Sequence, residues 1–107
     1  MQKQNFEHTL GIKVEKETNA KAIYYIKTQT GLSLSDIKTK IQDEDYIFES
    51  IVGDLQGLQK INQMKKKLQE LGVEYHLYQD DEEESSEFFD NIEQRGIDTA
   101  KEIEEHF

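Results

Sequence analysis

Three histidines, His8, His76 and His106, are the only imidazoles in this chain, and they lie far apart in the sequence. Imidazole is the side chain suited to proton transfer or metal ligation near neutral pH. If the two outer strands pair, His8 and His76 come near each other. Polar positions on a strand face explain both residues better, so no metal site is expected. The carboxylate runs Asp43-Glu44-Asp45 and Asp80 to Glu84 lack the Asp-x-Asp-x-Asp-Gly spacing of a calcium loop and read as solvated segments. There is no cysteine, hence no thiolate ligand or disulfide. No glycine-rich phosphate loop and no Gly-x-Ser-x-Gly elbow occurs. Glu70 with Glu74, or Asp43 with Asp45, are acid pairs of a kind any acidic chain offers. No cofactor and no catalysis are expected; a small enzyme is the outside alternative.

Charge is more informative. Eleven lysines balance 11 acids in residues 1–79, whereas Arg95 and Lys101 face 12 acids in residues 80–107, so the tail carries the whole net charge of −10. Without a net positive field to collect phosphates, a nucleic-acid partner is disfavoured. A protein with a basic surface is the better partner class. Lys65-Lys66-Lys67 reads as the solvated face of a helix, or as an electrostatic seat for the acidic tail. No run approaches 18 apolar residues, so no membrane span is expected. MQKQNFEHTL lacks the apolar core of a secretory signal, and a cytoplasmic protein is expected.

These side chains must be positioned by a single small fold, since 107 residues suffice for one core. Residues 6–15 alternate, with Phe6, His8, Leu10, Ile12 and Val14 on one side, the signature of a half-buried strand. Thr18 or Asn19 caps a helix running to about Thr30, with Ala22, Ile23 and Ile26 inward. Gly31 stands where a left-handed cap is needed. Leu32 turns inward, and Ser33 or Ser35 caps a second helix, Ser35 to Gln42. Residues 46–52 read as a strand whose buried face the imperfect alternation leaves open. Leu55, Leu58, Ile61, Met64, Leu68 and Leu71 form the stripe of a third helix over 55–71. Gly72 ends it, and residues 73–78 alternate as a third strand. The expectation is an α+β fold, β-α-α-β-α-β, with a three-stranded sheet covered on one face by helices joined through right-handed crossovers.

The stretch Ala20, Ala22, Ile23, Ile26, Lys27, Thr30-Gly31-Leu32-Ser33-Leu34 and Lys38, with Leu71-Gly72-Val73-Glu74 further on, resembles the C-terminal domain of the bacterial ribosomal stalk protein. The likeness covers roughly residues 5–79, and the Clp protease adaptor shares that general fold. In the stalk family the first two helices recruit translational GTPases through small apolar residues ringed by basic ones. The resemblance would place Lys27 and Lys38 at two of the basic positions, with Gly31 and Leu32 at the corner. Asn19 and Tyr24 depart from it, standing where basic side chains are expected. The dimerising N-terminal helices and the flexible hinge of the family are absent from this sequence. The resemblance therefore implies a borrowed domain with a rewritten binding face rather than a stalk protein.

The division expected is a core of residues 1–79 and an appendage of residues 80–107. In the appendage, Asp80 to Glu84 form a self-repelling hinge. Ser85-Ser86 caps an amphipathic helix carrying Phe89, Ile92, Gly96, Ala100, Ile103 and Phe107 at three-and-four spacing. Burying its phenylalanines and isoleucines is worth about 1.5–3 kcal/mol per side chain. The helix should dock on its own body, on a second copy as a homodimer, or on a partner groove. Gly96 within it points to close approach of another element. The function expected is a non-catalytic protein-binding module using Tyr24, Lys27, Gly31, Leu32 and Lys38 together with Phe89 and Ile92. The alternative is an immunity- or inhibitor-like acidic protein that masks a basic nuclease or other nucleic-acid-binding partner.

Overall fold

The computed structural model describes residues 8–105, so Phe6, His106 and Phe107 lie outside the described residues. In chain order the elements are β1 (Thr9–Val14), α1 (Ala20–Thr30), α2 (Leu34–Gln42), β2 (Phe48–Ile51), α3 (Leu55–Glu70), β3 (Tyr75–Gln79), β4 (Glu82–Glu84) and α4 (Ser86–Glu105). The fold is α+β.

The helix boundaries have local causes. The Asn19 side chain accepts from the Ala22 amide, and its Nδ2 donates to the Leu71 carbonyl at 3.0 Å, tying the start of α1 to the end of α3. Gly31 closes α1 in the left-handed region at φ 75°, where a Cβ is disfavoured, and its amide reaches the Lys27 carbonyl. Ser33 caps α2 by accepting from the Asp36 amide, so the helix begins at Leu34, one residue before the expected Ser35. Asp54 caps α3.

The sheet departs from expectation. It has four strands in the order β2-β1-β3-β4, every neighbour antiparallel. No crossover therefore joins adjacent parallel strands. Because β2 and β3 both run against β1, they are parallel to each other with β1 between them, and α3 bridges the two.

The fourth strand is the acidic run expected to be a solvated hinge. Asp80 and Asp81 take left-handed conformations, φ 52° and 66°, at the two centres of a tight hairpin turn, where short polar side chains are tolerated. Asp80 is anchored by the Thr9 amide at 2.9 Å and by His8 Nδ1 at 2.7 Å. Glu83 lies opposite Tyr78 and is met by His76 Nδ1 at 2.8 Å. These partners offset the repulsion that the sequence alone suggests.

Leu10, Ile12 and Val14 of β1 and Leu77 of β3 point into one core with Ile26, Ile37 and the α3 stripe. On β2 the inward residues are Phe48 and Ser50, which settles its face. The opposite sheet face carries Lys13, His76 and Tyr78, with the Tyr46 ring lying over Gly11, where a Cβ would come within 2.4 Å of it. Phe89 of α4 belongs to the same core, so the tail helix docks on its own body against α3.

Candidate interaction surface

The residues expected to bind a partner fall on two surfaces. Tyr24, Lys27, Gly31, Leu32 and Lys38 lie on the α1–α2 unit; Phe89 and Ile92 lie on α4, which packs on α3. At the corner Tyr24 is 66% exposed, Lys27, Gly31 and Lys38 are exposed, and Leu32 is half-buried against the core. Leu34 is exposed beside them. Phe89 has no accessible surface at all, so it is the peg that seats α4 rather than a side chain a partner can touch.

That seat has polar bolts. Lys65 is only 2% exposed, and its ammonium donates to the Ser86 carbonyl at 2.8 Å and to Asp90 Oδ1 at 2.7 Å. Asn62, also buried, donates through Nδ2 to the Phe89 carbonyl at 3.2 Å and to Glu93 Oε1 at 2.7 Å. The lysine triplet is therefore not one solvated face: Lys65 turns inward, while Lys66 and Lys67 remain outside. The acidic helix is held by one buried cation, one of the two arrangements the lysine triplet allowed, with the Asp90 carboxylate half exposed.

Beyond Phe89 the apolar stripe of α4 outruns its support. Ile92 is half-buried, whereas Ala100 and Ile103 are exposed, Ile103 at 53%. Across from them stand Val52 of the β2–α3 turn, 45% exposed, and Leu55 at the start of α3. Between these walls runs an open groove of about 420 Å³, floored by Leu10 and Leu58 and bordered by Asp54, Arg95, Gly96 and Thr99. Gly96 permits the approach: a Cβ there would come within 2.9 Å of Leu55 Cδ1. Val52 and Ile103, two of the five exposed large apolar side chains among the described residues, thus belong to the walls of this groove. Val52 was missed in the sequence because it lies in the turn before α3, outside any periodic stripe, and Leu55 was read only as part of the α3 stripe.

The open sheet face holds a second cluster. Tyr46 and Tyr78 meet edge to face at 5.6 Å, with the Lys13 ammonium 4.7 and 4.6 Å from their ring centres. The Tyr46 hydroxyl donates to Asp81, and burial, then this bond, push its pKa far above the phenolic range. Burial also raises Tyr78, helped by the charges of Glu83, Glu15 and Glu44. His76 sits between Glu83 and Glu15, with Nε2 to Glu15 Oε1 at 2.6 Å, and both hydrogen bonds raise its pKa. His8 pairs instead with Asp80, so the two imidazoles do not share a site. The Thr9 amide, then His8, hold Asp80 below the usual carboxylate range. Among the described residues no three metal-ligating side chains come together, and no helix is long and apolar enough to cross a membrane.

Comparison with family models, curated proteins and solved structures returned no match to this chain. What the surface can do must be read from its own residues. It combines an apolar groove with a strongly acidic helix.

Proposed function

We propose that this chain is a non-catalytic protein-binding module whose principal contact surface is α4 and the groove beside it. The observation that carries the reading is the gathering of exposed Val52 and Ile103 about one groove, beside a helix rich in acids. Contiguous apolar surface rimmed by charge is how protein contact sites differ from ordinary solvent-facing surface. The charge of residues 80–107 favours a partner with a basic face. This reading is compatible with recruitment, as the stalk resemblance implies, and with the masking of a basic toxin or nuclease. The α1–α2 corner, where Tyr24, Lys27, Leu34 and Lys38 are all exposed, is a secondary contact surface in the same scheme.

A photo-crosslinking residue placed at Ile103, and separately at Tyr24, tests this in the cells that make the protein. A discrete protein adduct from Ile103, weakened by salt, is the expected result. Identification of that adduct as a translation or proteolysis factor separates recruitment from a cognate basic toxin. No adduct from either position would defeat the proposal.

A further inference from the structure

We infer that the groove between α4 and the β2–α3 turn receives a single amphipathic helix of a protein partner, basic along its flanks; the inference rests on the binding-module reading and narrows it to one occupant. The groove has the requirements of a helix seat. One wall is a helix, whose residues Ile92, Gly96, Ala100 and Ile103 repeat every three or four positions. The other is the short turn bearing Val52 with Leu55 at the start of α3, and the floor is apolar. An incoming helix offering apolar residues at i, i+3 or i+4, and i+7 would interleave with that wall. The exposed Ala100 and Ile103 extend the seat outward beyond the part of α4 pinned by Phe89.

Charge decides between the occupants. Residues 97–105 of α4 hold one lysine, Lys101, against Asp98, Glu102, Glu104 and Glu105. A second copy of the chain would bring two such acidic segments together in the same interface, which opposes self-association. A helix with lysine or arginine on its flanks would be drawn to the same surface and set in register by it. Asp54, at the β2–α3 side, extends the acidic rim across the groove. Arg95 is the exception in the lining. Its aliphatic stem can cover apolar surface while its guanidinium selects one acidic residue on the incoming helix.

Amide chemical-shift mapping on the full chain tests the assignment. The probe is a synthetic 14-residue peptide with leucines on one helical stripe and lysines on both flanks. One control scrambles its order to destroy the stripe, and a second replaces its lysines by glutamates. The expected shifts fall on Val52–Leu55 and Ile92–Ile103. Scrambling the peptide, or the Val52→Asp or Ile103→Asp substitution, should weaken binding about tenfold, as loss of a single well-packed apolar anchor does. Both substituted side chains are exposed, so the melting temperature should not move, and lost binding cannot be ascribed to unfolding. Equal affinity for the ordered and scrambled peptides, or for the lysine and glutamate peptides, overturns the inference. A free chain that dimerises through Ile103 assigns the groove to a second copy. Tighter binding by a chain lacking residues 1–7 assigns it to that segment. Shifts confined to Tyr24–Lys38 overturn the groove while leaving the broader binding reading standing.

Discussion

Substituting Asp90 by alanine removes one of the two acceptors that hold a lysine inside this protein. Lys65 is nearly inaccessible, whereas the Asp90 side chain is 52% exposed. Stripping the partner from a fully buried charge costs about 3–5 kcal/mol. Here that figure is a ceiling, because water can reach the vacated carboxylate position and the Ser86 carbonyl still accepts at 2.8 Å. A hydrogen bond to a charged group is worth about 1.5–3 kcal/mol, and the lower end applies, so Asp90→Ala should lose about 1.5–2 kcal/mol. Lys65→Met is the opposite experiment. It keeps an unbranched apolar stem between α3 and α4 and abolishes the buried charge, an exchange that is often neutral in such settings. Its expected effect is within about 1 kcal/mol of zero. In the Lys65→Met background, Asp90→Ala should cost almost nothing, since no ammonium is left to satisfy. Urea unfolding followed by far-ultraviolet circular dichroism reads each value from the midpoint at constant slope. In a domain of this size each kcal/mol moves the melting temperature by about 4–8 °C. A neutral Asp90→Ala combined with a Lys65→Met loss above about 3 kcal/mol would refute the reasoning, because the stem rather than the charge would then be the anchor.

Three further outcomes follow from the packing and the ionisable groups. Phe89→Ala empties a fully buried site and should cost about 3–5 kcal/mol by thermal melting; a loss below about 1 kcal/mol would mean that α4 is not seated there. Gly57→Ala should cost about 2 kcal/mol or more, since its Cβ would fall 1.9 Å from Ser50 Oγ, whereas Gly96→Ala meets only the mobile end of Leu55 and should stay within about 1 kcal/mol of wild type. His76 is raised above its ordinary 6.5 by Glu83 and then Glu15, so its contribution is complete below pH 6.5 and disappears as pH climbs through the raised value. The melting temperature should therefore decline over that interval, and His76→Gln should flatten the decline; an unchanged slope would remove His76 as its cause.

Much of the fold was legible because its elements are punctuated by residues with one physical job. Asn19, Gly31 and Ser33 sit at helix ends where a side-chain acceptor or a left-handed backbone is required, and the α3 stripe follows the helical period. The fourth strand was hidden because its stability comes from partners distant in sequence: His8 and Thr9 for Asp80, His76 for Glu83. Read locally, five consecutive acids repel one another. Lys65 was misplaced for a related reason. It continues the inward positions Leu58, Ile61 and Leu68 at helical spacing, but a lysine among lysines looks solvated until the Ser86 carbonyl and Asp90 are seen opposite. On the candidate site, the stripes of α4 and α3 were visible, but Val52 of the facing wall was not, since a turn carries no periodicity, nor was the pairing of Leu55 with α4.

Residue-resolved hydrogen exchange along α4 tests the docking on which the binding surface depends. Amides from Phe89 to Ile97 should be protected on the scale of those in α3, with exchange rising steeply from Ala100 to Glu105, where the helix has outrun its support. Uniformly rapid exchange along the whole of α4, with α3 protected, would mean that the helix is not seated on its own body and that the groove has no second wall.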